Sequence, residues 1–169
     1  MDLMHPTQKP ASTAVEETFN PAQALRGAAL YLERHGWIPS DAYAWTATPP
    51  AFPAATARDA IAYAVLGAPI DTTDDYLDRE AHGDFEYALG VFADFLYWTG
   101  NAVDHLDVDI ADLDIYDVAT RWNDAPDRTA EQVITALRDA ADDFDSAMAK
   151  VIPTPAGQWR LVWVADGVA

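Results

Sequence analysis

The stretch Phe85 to Thr99, FEYALGVFADFLYWT, decides the fold class. Phe85, Leu89, Phe92 and Leu96 recur at the spacing of one helical stripe, and Tyr87, Val91 and Trp98 form a second. The segment is therefore apolar over most of its circumference, the pattern of a helix buried at the centre of a bundle. Asp94 is the one charge well inside it and reads as a helix edge that reaches water or pairs with an arginine. Gly100 and Asn101 end the helix.

Four further helices are read around this one. Asn20 and Pro21 form an N-cap followed by proline at the first helical position, and Leu25, Ala28, Ala29 and Leu32 form the stripe of a first helix that stops at Gly36. His35 in its last turn reads as a C-terminal helix residue suited to the helix dipole, not as a catalytic base. A second helix fits Thr56 to Leu66, with Ile61, Ala62 and Val65 inward and a stop at Gly67. A fourth covers about Asp112 to Trp122. Thr129 with Gln132 completes a capping box that opens the fifth and longest, whose stripe is Val133, Leu137, Ala140, Ala141, Phe144 and Met148. Strand periodicity is confined to about 42–46 and 158–165, and a lone strand must pair. The expectation is a mainly α, single-domain bundle of about five helices around the helix at 85–99, with a small two-stranded element joining 42–46 to 158–165. Residues 1–20 read as a flexible arm before a domain at 21–169.

Charge narrows the function. The chain has 169 residues, 28 of them acidic and 10 basic, for a net charge of −18. That balance argues against a surface built to bind nucleic-acid phosphates or anionic lipid. There are no cysteines, which excludes disulfides, thiolate metal sites and a thiol nucleophile. The start lacks a basic and an apolar segment of the secretory kind, and no apolar run is long enough to span a bilayer, so a cytoplasmic protein is expected. The acids gather at 71–86, 104–117 and 139–145. The run at 104–117 fails the test for an EF-hand calcium loop, because a loop begun at Asp107 has Asp112 where the turn glycine belongs.

The segment Arg121 to Thr129, RWNDAPDRT, followed by AEQVI, is the one motif with identity. Together with LRGAALYLERHGW at 25–37 it resembles a family of small uncharacterised proteins of actinobacteria and their phages. The middle of the chain departs from that pattern: the family often carries a Cys-x-x-Gly-Ala step, whereas Ala64 to Ala68 keeps only the Leu-Gly-Ala part. The resemblance implies a core fold and an origin, and no activity, because the family has none assigned. Physically, Asn123 or Asp124 can close the fourth helix, Pro126 fixes a turn, and Arg128 can pair with Asp124 or Asp127. Trp122 is expected to plug the space between the fourth and fifth helices.

These observations favour a non-enzymatic acidic protein that binds a basic surface of a host protein, competing with nucleic acid by imitating its charge. Asp104, Asp107, Asp109, Asp112, Asp114, Asp139, Asp142 and Asp143 are the candidate partner-binding residues. A small enzyme or ligand-binding protein is the alternative, with a pocket at Trp122, Asn123, Asp124 and Arg128, or one drawing in Asp94 and His105. A third reading is an assembly component that self-associates through strand 158–165. No nucleophile and base sit at suggestive spacing, so catalytic residues, cofactors and metals are expected to be none.

Overall fold

The computed structural model describes residues 18–40, 51–68, 79–100 and 114–149, with two short stretches at 152–153 and 159–160. Five helices follow in order: α1 (Pro21–His35), α2 (Ala57–Leu66), α3 (Arg79–Trp98), α4 (Ile115–Asn123) and α5 (Ala130–Ala149).

Their ends follow from capping chemistry. The Asn20 side chain accepts from the Ala22 and Gln23 amides at the start of α1. Thr56 accepts the Asp59 amide in α2, and Asp114 accepts the Asp117 amide in α4. At α5 the box is reciprocal: Thr129 N donates to Gln132 Oε1 at 3.0 Å, and Gln132 N donates to Thr129 Oγ1 at 3.3 Å. Each partner satisfies an amide that the first turn leaves without an intrahelical acceptor.

α3 packs against all four other helices. Its Phe85, Leu89, Phe92 and Leu96 are fully buried, as their spacing requires. The second stripe does not follow them inward, because Tyr87 is 50% exposed and Trp98 is 80% exposed. α3 is thus central by its contacts but buried along one stripe only, with Tyr87 and Trp98 on its outer side. It also begins six residues before Phe85, at Arg79. α1 runs antiparallel to both α2 and α5. Gly27 lies so close to α2 that a Cβ there would meet Ala64 Cβ at 3.2 Å. Arg26 bridges Asp142 and Asp145 on α5, and Arg138 reaches back to Glu33 at 2.7 Å. These pairs are exposed and contribute at most about 1 kcal/mol each. The α5 stripe is buried from Val133 to Ala141, Phe144 is half-buried and Met148 is exposed.

The expected pairing of 42–46 with 158–165 is not supported. Residues 42–46 lie outside the described residues, and the pairing described in the tail joins Ile152–Pro153 antiparallel to Trp159–Arg160, two residues on each side. A local partner needs a far shorter loop to close, which lowers the entropic cost of pairing. Residues 1–17, the acidic stretch at 71–78 and the run from Asp104 to Asp112 also lie outside the described residues. Among the described residues no helix is long and apolar enough to cross a membrane.

Two positions carry local predictions. Gly36 ends α1 at φ 95°, ψ 155°, a conformation open essentially to glycine alone. Gly36→Ala is expected to cost about 1–3 kcal/mol, read as a lower urea midpoint with an unchanged slope. Asp59 is half-buried, and burial pushes its carboxyl above the ordinary 3.8, opposed by the Thr56 hydrogen bond and by Arg58. A raised folded pKa means that the native state holds the proton more tightly than the unfolded chain. Its stabilising contribution is present at low pH and lost as pH rises through the folded value. Asp59→Asn therefore flattens the stability profile just above pH of about 4; urea midpoints across that window that fall as steeply as in the parent would contradict this.

Candidate functional site

Gly36 turns the chain out of α1 into a short extended piece. There Ile38 N donates to Ala55 O and Ala55 N donates to Gly36 O, each at 3.1 Å, so the chain entering α2 is tied to the chain leaving α1. This tie carries Trp37 towards the end of α4. Trp37 Nε1 donates to Asn123 Oδ1 at 2.7 Å, and the Ala57 amide, at the first turn of α2, donates to the same oxygen at 3.0 Å.

Asn123 is 1% exposed. Its Nδ2 donates to Ile38 O at 3.4 Å and to Asp124 Oδ1 at 2.8 Å. Two acceptor positions and two N–H groups are all that a carboxamide has, so its hydrogen-bonding capacity is filled. The orientation of the amide follows from the same contacts, since the reverse would aim N–H groups at the Trp37 and Ala57 donors. Asp124 extends the joint by accepting the Ser40 amide at 2.7 Å. One asparagine therefore caps α2, ends α4 and fixes the chain after α1.

The rest of the turn is built around Trp122. The indole is 4% exposed and meets Phe92 of α3 edge to face, with centroids 5.6 Å apart. Trp122 thus plugs α4 onto α3. Asp127 adopts a positive φ of 64°, which brings Arg128 back over the turn. Arg128 does not pair with Asp124 or Asp127. Its Nε donates to Trp122 O at 3.1 Å, and its guanidinium lies 4.0 Å from the centre of the indole ring. A planar cation over an indole gains both stacking and charge–quadrupole attraction. Burial lowers the pKa of the guanidinium, and among the described residues it forms no ion pair.

The four candidate pocket residues are therefore brought together, but in unequal roles. Asn123 and Asp124 are held by the joint, whereas Trp122 and Arg128 border a groove of about 380 Å³ between the ends of α3 and α4 and the first half of α5. Phe95 of α3 and Glu131, Thr135 and Asp139 of α5 also line it. Asp94 is exposed on α3, and His105 lies outside the described residues. Of the candidate partner-binding acids, Asp139, Asp142 and Asp143 are exposed on α5, with Asp142 paired to Arg26, and Asp114 is exposed at the start of α4.

A second polar cluster was not read from the sequence. Tyr116 Oη donates to Glu86 Oε1 at 3.1 Å, His82 Nε2 lies 3.5 Å from the same oxygen, and Arg58 sits 5.1 Å from the Tyr116 ring centre. Burial, then the Glu86 hydrogen bond, raises the Tyr116 pKa. Arg58 Nε and His82 Nδ1 are buried without a partner among the described residues. The i, i+4 spacing of His82 and Glu86 was the available signal; the link to Tyr116 and Arg58 is tertiary.

The model of a family of unknown function, DUF6197, matches residues 16–143. No curated protein and no solved structure matches the chain.

Proposed function

Because the chain belongs to this family of unknown function, whose membership assigns no activity, we propose that it is a non-enzymatic binding protein that presents acidic helices to a basic surface of a host protein. The proposal includes an actinobacterial setting, a phage origin and competition with nucleic acid by imitation of its charge. One observation carries it. The outer side of α5 holds Glu131, Asp139, Asp142, Asp143 and Asp145 in a chain of net charge −18, and the Arg26 bridge reaches only Asp142 and Asp145. Carboxylates in that density attract a cationic surface from a distance and speed encounter in a salt-dependent way.

The test is capture from a host lysate at about 50 mM and about 500 mM salt, a range over which the screening length falls severalfold. The parent chain is expected to retain a basic-surfaced protein at low salt and release it at high salt, and an Asp139→Asn, Asp143→Asn variant is expected to retain less. A partner held equally at both salts, or no basic partner at all, defeats the reading.

A second reading is favoured by the groove beside the Trp-Asn-Asp turn. A volume of about 380 Å³ lies at the small end of the range for ligand sites, roughly 300–1,000 Å³. Ligand binding there needs no catalytic group and is compatible with an acidic exterior.

A further inference from the structure

The groove brings charges of both signs to one place without letting them close on each other. Arg128 stands on one wall, clamped by its Nε bond to Trp122 O and by the indole beneath it. Glu131 and Asp139 line the same groove from one face of α5, at i and i+8. None of the three forms an ion pair among the described residues. Phe95 and Trp122 add aromatic surface to the same groove, and Trp122 Nε1 is buried without an acceptor among the described residues.

From this arrangement we propose that the groove binds a small zwitterion of the amino-acid class with an apolar or aromatic side chain. The inference rests on the reading of the groove as a ligand site and names the ligand's chemistry. Arg128 keeps its outer N–H groups for the carboxylate, a planar fork matched to two oxygens. Glu131 or Asp139 receives the ammonium group. The side chain lies against Phe95 and the edge of Trp122, where burial of apolar surface adds to affinity. A simple anion would face the two acids, and a simple cation would face Arg128. Only a molecule carrying both charges meets a complement to each of them.

The test uses the full-length chain labelled with ¹⁵N, reading the Trp122 indole N–H signal, identified by its loss in Trp122→Phe. L-phenylalanine, L-tryptophan and L-leucine are titrated against 3-phenylpropionate, which lacks the ammonium group, and 2-phenylethylamine, which lacks the carboxylate. At least one amino acid is expected to move the signal saturably, with each truncated analogue weaker by about tenfold or more, the loss of about 1.4 kcal/mol. Glu131→Gln with Asp139→Asn changes exposed side chains and is expected to weaken the amino acid while leaving 3-phenylpropionate unchanged or tighter. If a truncated analogue binds as well as the amino acid, the zwitterion is overturned and the groove stands as a ligand site. If no probe moves the signal, both fall.

Discussion

Asn123→Ala is expected to lower stability by about 3–5 kcal/mol, a large share of what a domain of this size has. The change leaves Trp37 Nε1 and the Ala57 amide without their acceptor and Ile38 O without one of its donors. Each buried group left unsatisfied costs about 1–3 kcal/mol, and Ala57 is fully buried. Asn123→Asp separates the two halves of the amide. It keeps the acceptor for Trp37 and Ala57 but places a carboxylate oxygen against Ile38 O and the Asp124 carboxylate. That variant is expected to be destabilised at neutral pH and to approach the parent as pH falls, because protonation restores a donor. Urea denaturation of both variants across pH checks the pair; a loss below about 1 kcal/mol in Asn123→Ala would show that the joint does not act as described.

Phe92→Ala is the second large effect, about 3–5 kcal/mol from lost apolar burial and the cavity left behind. Phe92 is fully buried where α3 meets Trp122, and the edge-to-face contact between the rings goes with it. The same substitution six residues along the helix is the control. Trp98 is a larger side chain, yet at 80% exposed its replacement by alanine is expected to shift stability by about 0.5 kcal/mol or less. Equal losses at the two positions would contradict the side of α3 assigned to the core.

The contrast between Phe92 and Trp98 shows what periodicity leaves open. Both belong to apolar stripes of one helix, and hydrophobicity alone does not say which stripe has neighbours. Local chemistry was more legible: Asn20, Thr56 and Thr129 mark helix starts because a cap acts within three residues. The beginning of α3 was missed because Arg79 to Asp84 is polar and contains Gly83. Those residues present no apolar stripe, while His82 and Glu86 meet Tyr116 through tertiary contacts. The two motif blocks were visible as sequence, and their connection was not. Trp37 and Asn123 are 86 positions apart, and neither residue type announces the other. The same limit applied to Arg128, where nearby aspartates suggested an ion pair and the stacked indole prevailed.

The two motif blocks of this chain therefore have a structural meaning: the Gly36-Trp37 step and the Trp122-Asn123-Asp124 turn are the two sides of one joint. A double-mutant cycle of Trp37→Phe and Asn123→Ala, read by urea unfolding, tests that most directly. Trp37→Phe removes the indole donor while keeping an aromatic ring, so once Asn123 is gone it no longer breaks a bond and even relieves an unpaired donor. The cycle is predicted to give a coupling of about 1 kcal/mol or more, whereas losses that add to within about 0.5 kcal/mol would show that the two residues act independently and that the joint is not what links the blocks.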